Sequence, residues 1–193
     1  ISMRDRNKIA LQSDLLGAND FDIRAILALT GDPARMSDQP HTKGVFEGNS
    51  NLLLEIVKSF NSGFDFAGKS FNIKPKPIYP FTVTNSFAKS KNGIAKKINQ
   101  KISNGSVGII TQPVFDIDNA KWLLEIFNSE KKALKNSDTQ LILGVFPVLK
   151  LRTAQFLSAH VPGIYVSKDW LYKLEKASKI SEIEERKVGI ELS

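Results

Sequence analysis

Ala25-Ile26-Leu27-Ala28-Leu29-Thr30-Gly31-Asp32-Pro33 is an apolar run that ends abruptly in polar, turn-forming residues. The same form recurs three times. Ile78 to Val83 leads into Thr84-Asn85-Ser86, Val107-Gly108-Ile109-Ile110 into Thr111-Gln112-Pro113, and Leu141 to Phe146 into Pro147-Val148. None of the four alternates apolar and polar side chains as a half-exposed antiparallel strand does. Continuous apolar strands are expected where both faces of a parallel sheet are covered.

Helical patterns separate these strands. Leu52, Leu53, Ile56, Val57 and Phe60 recur at helical spacing, with Asn49 or Ser50 placed to cap and Gly63 placed to stop. Ile94, Ala95, Ile98 and Ile102 repeat the pattern and end at Gly105, and Asp118 is placed to cap a helix carrying Ala120, Leu123, Leu124 and Phe127. Further helices are expected from Leu151 to about His160 and, at the N-terminus, from Asp5 to Leu16 with Gly17 as the stop. A charged helical tail follows from Ser167 onward. The order α-βα-βα-βα-βα implies right-handed crossovers and a parallel sheet. No Gly-x-Gly-x-x-Gly follows a strand and no phosphate-loop motif occurs, so the nucleotide-binding doubly wound sheets lose support. Polar residues gathered at the carboxyl ends of apolar strands are where barrel enzymes place their chemistry. The predicted fold class is therefore α/β with a parallel sheet, for which a doubly wound sheet and a (β/α) barrel of the TIM type are the candidates. The arrangement is barrel-like but has only about four βα units, forming a single domain over residues 1–193.

Composition narrows the function. With 193 residues, 41% hydrophobic and 24% charged, the chain has the balance of a globular domain rather than a disordered tail. There is no cysteine, which excludes a disulfide scaffold, a thiolate zinc site and a Cys nucleophile, and fits a reducing, cytoplasmic setting. His41 and His160 are the only histidines and read as surface or satisfied polar residues. Asp116 and Asp118 read as helix caps, and no metal is expected. The net charge is 27 − 20 = +7, but the lysines are dispersed among acids. The densest stretch, Lys89, Lys91, Lys96, Lys97 and Lys101, carries only Phe87 as a stacking aromatic, so solvated helix faces are expected rather than nucleic-acid binding. No apolar run approaches the roughly 18–20 residues of a membrane helix, and Ile1-Ser2-Met3-Arg4 has neither a leader pattern nor an initiator Met.

Several motifs, collinear over almost the whole chain, carry a resemblance. They are Arg4-Asp5-Arg6-Asn7, Leu11-Gln12-Ser13-Asp14-Leu15-Leu16-Gly17, Leu29-Thr30-Gly31-Asp32-Pro33, Val45-Phe46-Glu47, Asn85 with Lys101 sixteen residues on, Thr111-Gln112-Pro113-Val114-Phe115-Asp116, and Val161-Pro162-Gly163-Ile164. Together they resemble the methylenetetrahydrofolate reductase family, most closely the bacterial branch also found fused to homocysteine methyltransferase domains. The resemblance implies a (β/α)₈ barrel that holds FAD at its strand tips. Such a barrel passes hydride from NAD(P)H through the flavin to 5,10-methylenetetrahydrofolate, giving 5-methyltetrahydrofolate.

By the same resemblance, Asp32 is the carboxylate near flavin and folate and the expected catalytic residue. Gln112 binds the pterin, with Thr153 where some members carry a substrate-binding Gln. Thr30, Gly31, Asp32, Phe46, Glu47, Phe81, Asn85, Ala88 and Lys101 line the FAD. Gly31 suits close approach of backbone to a flat ring, a carboxamide matches a pterin edge with donors and acceptors, and Lys101 suits a pyrophosphate as a point charge.

The family's proton-donating Glu and a flavin-contacting His lie on strands expected ahead of Ile1, and the eighth strand is expected after Ser193. The chain is thus expected to be the middle and later part of the barrel, covering four of eight strands. Ile94 and Lys97 replace polar cofactor contacts. A homo-oligomer or the remaining segments of a longer chain are the expected partners. Two alternatives stand beside this reading: a catalytically inactive flavin- or folate-binding barrel module, and another pterin-dependent, methyltransferase-type barrel.

Overall fold

The computed structural model describes every residue except Lys89, Asn136, Ser137 and Pro162, together with the side chain of Lys91. The basic stretch from Lys89 and the Val161–Ile164 motif thus each include a residue outside the described set. The element order is α1 (Lys8–Asp20), β1 (Ala25–Ala28), a 3₁₀ turn (Ala34–Met36), α2 (Ser50–Ser62), β2 (Tyr79–Thr84), α3 (Lys91–Ser103), β3 (Gly108–Pro113), α4 (Ile117–Ala133), β4 (Gln140–Gly144), α5 (Leu151–His160), α6 (Lys168–Ser178) and α7 (Glu182–Leu192).

All four strands pair in parallel in the order β1-β2-β3-β4. Sequential order with right-handed crossovers stacks every crossover helix on one face, the arrangement of a barrel wall. A doubly wound sheet requires the order to reverse at a switch point. Ile1–Met3 extends the pairing on the other edge of β1: the Leu29 amide donates to the Ile1 carbonyl (3.0 Å) and the Met3 amide to the Leu29 carbonyl (3.1 Å).

The expectation that both sheet faces are covered is corrected. Thr82 and Thr84, which point toward the helices, are 0% and 5% exposed, whereas Tyr79 and Val83 on the opposite face are 50% and 39% exposed. The runs read as continuously apolar because the covered side carries Ile26, Ala28 and Ile109 beside its threonines, and the open side large apolar residues. Thr82 Oγ1 and Ser106 Oγ satisfy each other at 3.2 Å within the covered layer. The open face carries Leu27, Phe81, Val83, Ile110 and Ile142 in register, the composition of a barrel interior.

The helix ends follow local chemistry. Asn49 caps α2 by accepting from the Asn51 amide (2.9 Å), and Gly63 ends it in the left-handed region at φ 94°. Asp116, rather than Asp118, caps α4, accepting from the Asp118 amide (2.9 Å). Helix α1 departs from expectation: it begins after Asn7, whose side chain accepts from the Ala10 amide, and runs through Gly17 to Asp20. A helical glycine costs about 1 kcal/mol, which burial of Leu11 and Leu15 against Leu53, Leu54 and Met3 outweighs. Strand β2 starts at Tyr79, one residue late, because the Asn61 carboxamide takes both backbone groups of Ile78 (2.7 and 2.9 Å).

Two further apolar clusters complete the core. Ile94, Ile98, Ile102, Ile109, Leu123 and Phe127 join α3, β3 and α4, and Phe115, Val148, Ala154, Trp170 and Leu174 join α5 and α6. Helix α7 closes this end: buried Glu185 accepts from the Leu151 amide (2.7 Å) and so caps α5 from outside it. No helix among the described residues is long and apolar enough to cross a membrane.

Two glycines in helices should respond oppositely to alanine. A Cβ at Gly189 would meet the Val148 carbonyl oxygen and Leu149 Cα (3.0 Å), whereas nothing lies within 4 Å of one at Gly17. Gly189→Ala is expected to cost about 1–3 kcal/mol by overpacking. Gly17→Ala is expected to stabilise by about 0.5–1 kcal/mol. Urea unfolding of both variants measures the difference.

Candidate functional site

Parallel strands deliver their carboxyl ends to one edge of the sheet, and the polar residues after β1 and β2 and at the end of β3 gather there. At the β1 tip, Thr30 Oγ1 accepts from the Ser50 amide (3.1 Å), tying the start of α2 to the strand end. Gly31 has φ 88°, and a Cβ there would meet Ser2 Oγ and Arg4 Cβ (2.8 Å). The glycine is thus required by the neighbouring N-terminal segment. Asp32 is exposed, and among the described residues it forms no ion pair. It adds to the charge field around Arg4, whose guanidinium is held above its ordinary pKa by Asp5 first, then weakly by Asp32 and Asp38.

The Val45–Glu47 segment joins this group through Arg4. The Arg4 carbonyl accepts from the amides of Val45 (2.6 Å) and Phe46 (3.3 Å), and Phe46 takes a positive φ of 42°. Glu47 accepts from the Lys8 amide (2.7 Å), where its negative charge complements the start of α1.

Lys101 is the most unusual group. It lies in the last turn of α3, and its carbonyl accepts from the Ser106 amide beside the beginning of β3. Its ammonium nevertheless reaches Ser50 Oγ (3.4 Å) at the start of α2, and Ser50 is the residue bonded to Thr30. The residue is 7% exposed, and among the described residues no carboxylate lies within ion-pair distance. Burial, and secondly Lys97, push its pKa below the ordinary lysine value. A buried ammonium facing a helix N-terminus sets positive charge against positive partial charge, the electrostatics of an anion site.

At the next tips, Asn85 and Gln112 meet over Gly163. A Cβ on Gly163 would lie 2.6 Å from Gln112 Oε1 and 2.7 Å from Asn85 Nδ2, so both carboxamides pack against one backbone position. Asn85 follows Val83 and Gln112 follows Ile110 by two residues, which puts both on the open inner face at its mouth. Among the described residues the Asn85 carboxamide has no hydrogen-bond partner. The Gly163 carbonyl accepts from the Phe87 amide (3.3 Å), and Phe87 stacks on Tyr165 with ring centres 4.6 Å apart.

The other expected residues sit apart. Phe81 lies deeper on the inner face, its ring filling the place of a side chain at Gly108 (2.5 Å). Ala88 packs against the α3–β3–α4 cluster, and half-buried Thr153 stands in the first turn of α5. A cleft of about 600 Å³ between α4, β4 and α6 is lined by Phe115, Asp116, Gly144, Val145 and Trp170 and contains none of the expected residues. Its Asp116 and Asp169 are already engaged, as the α4 cap and with Lys173 (2.7 Å). Sequence reasoning missed the roles of Ser50, Ser86 and Asn119 here. Ser50 is legible only as a candidate cap, and Ser86 only as a polar residue after a strand.

The shift on Lys101 has a definite sign. With its folded pKa below its unfolded value, the unfolded chain holds more protons between the two. Stability therefore rises with pH across that interval and is lower at neutral pH. Lys101→Met is expected to raise the thermal midpoint of the ligand-free chain at pH 7 by a few degrees. The advantage should close as pH rises toward 10.5, the ordinary lysine value. Scanning calorimetry at pH 7 and 10 checks both.

No curated protein matches the chain. A family model described as methylenetetrahydrofolate reductase matches residues 1–193, the whole chain. With its barrel-type strand order and a carboxamide pair at the strand tips, the chain belongs to the methylenetetrahydrofolate reductase family.

Proposed function

We propose that the protein is a cytoplasmic oxidoreductase that reduces 5,10-methylenetetrahydrofolate to 5-methyltetrahydrofolate, using FAD and NAD(P)H, and that this chain is part of its catalytic barrel. Family membership supports the reaction class. The observation that carries the site is the convergence of Asn85 and Gln112 on Gly163 at the mouth of the inner face, one strand from Asp32. Two carboxamides offer donors and acceptors side by side, which suits a pterin edge that presents both.

The residues present fit the cofactor at one end in particular. Lys101 and Ser50 at the start of α2 form a buried positive site without a carboxylate, which suits a pyrophosphate. Thr30, Gly31 and Asn85 would flank the ring system at the strand tips, with Phe81 beneath. Phe46, Glu47 and Ala88 would shape the edges through the contacts they already make. When bound, the flavin supplies the hydride chemistry, and the chain binds and orients the reactants. Asp32 would set the charge beside the ring and bind folate, Gln112 would hydrogen-bond the pterin, and Thr153 would contact substrate from α5.

The test is binding by the purified chain. Lys101→Met is expected to weaken FAD by about 10–100-fold, the value of a charge-assisted hydrogen bond of about 1.5–3 kcal/mol. Gln112→Ala is expected to weaken 5-methyltetrahydrofolate by about tenfold at unchanged FAD affinity. Wild-type chain that takes up neither ligand overturns the reading. The isolated chain is expected to show little NAD(P)H–menadione turnover. Tight flavin binding without turnover, even when the remaining strands are supplied, would favour the inactive binding module instead.

A further inference from the structure

Ser86 is 1% exposed and lies immediately behind Asn85. Ladder pairing between β2 and β3 ends at Thr84 and Thr111, so the backbone ladder does not reach the residues that carry the two carboxamides. Ser86 Oγ takes over beyond that point. It donates to the carbonyl of Pro113 (2.8 Å), the residue after Gln112, and also lies 3.3 Å from the Gly163 carbonyl. A hydroxyl has one hydrogen, so the shorter contact to Pro113 is the principal bond. The Ser86 carbonyl in turn accepts from Asn119 Nδ2 (2.6 Å), in the first turn of α4, a helix fixed by its Asp116 cap.

We propose that Ser86 is a positioning residue: it ties the β2 tip to the β3 tip and to the Gly163 segment, and so sets the spacing at which Asn85 and Gln112 face one ligand. Its hydroxyl and carbonyl are both committed to protein, so neither is left to touch substrate. Gly163 is the surface against which the pair is set, because both carboxamides already lie where its Cβ would be. The Ser86 hydroxyl is a direct bond from the β2 tip to the β3 tip beyond the ladder, and its loss lets the separation of the amide pair relax. The ligand part of this inference rests on the folate reading above; the positioning part does not.

The experiment uses Ser86→Ala, Ser86→Thr as the variant that keeps the hydroxyl, and Asn119→Ala as a second break in the same chain of bonds. In the ligand-free chain, NMR contacts between the Asn85 side-chain amide and the Gly163 α-protons should be present in wild type. They should be lost in Ser86→Ala and Asn119→Ala and regained in Ser86→Thr, with the strand amides unchanged. Two ligands then probe separate regions: 5′-ADP for the Lys101–Ser50 site and 5-methyltetrahydrofolate for the amide pair. Ser86→Ala should weaken the folate by about tenfold or more and leave 5′-ADP within about twofold, the behaviour of one lost hydrogen bond at one site. Retained Asn85–Gly163 contacts in both broken variants, or an equal loss of both ligands, overturns the proposal. If the contacts respond as expected while wild type takes up no folate, positioning by Ser86 stands and the folate reading falls.

Discussion

Everything at the site depends on four parallel strands being laid down in sequential order. Each crossover must return its chain to the same end of the sheet before the next strand begins, so the residue after every strand arrives at one edge. That places Thr30, Asn85 and Gln112, drawn from distant parts of the sequence, along a single line of tips. A reversal anywhere in the order would place one group of helices on the opposite face and split the line. Beside the backbone ladders, the Thr82–Ser106 pair and Thr111 Oγ1, which accepts from the Gly144 amide at 2.9 Å, support the register.

The site divides into two regions with opposite physics. Around Lys101 the fold tolerates an unfavourable state: an ammonium largely withdrawn from water, near another lysine and a helix N-terminus, with a hydroxyl as its partner. Such an arrangement is unfavourable for the empty fold and favourable for an anion, so stability and binding pull in different directions. Asn85 and Gln112 themselves carry no charge, and the determinant is spacing. Carboxamides have fixed donor and acceptor geometry, so their usefulness depends on how firmly the backbone carries them.

Much of this is legible in the sequence. The four strands, the Asn49 and Gly63 ends of α2, and the α5 limits follow from local signals that tertiary contacts do not override. Gly17 shows the limit of such signals: it reads as a stop but lies mid-helix, because Leu11, Leu15 and Ala18 face a core contributed by α2 and β1. Gly31 must lack a side chain for a reason that its turn motif does not show. Its neighbour is Ser2, and a contact so far back along the chain cannot be read from a turn motif. Ser86 and Glu185 escape notice for the same reason, since each acts on a backbone group remote in sequence.

The open face of the sheet sets where recognition can happen. Reading from the amino ends, the inner layers are Leu27 with Phe81, then Val83, Ile110 and Ile142, and only then Asn85 and Gln112. Below the mouth Leu27, Phe81, Val83, Ile110 and Ile142 are apolar, so a polar heterocycle placed against them would lose its hydration without compensation. A ligand that hydrogen-bonds through its edge therefore belongs at the last layer, and its apolar face can rest on the side chains beneath. Asp32 is exposed and lies outside the layers, at the β1 tip. The depth of the site is thus fixed by the point along each strand at which the apolar run gives way to Thr30, Asn85 and Gln112.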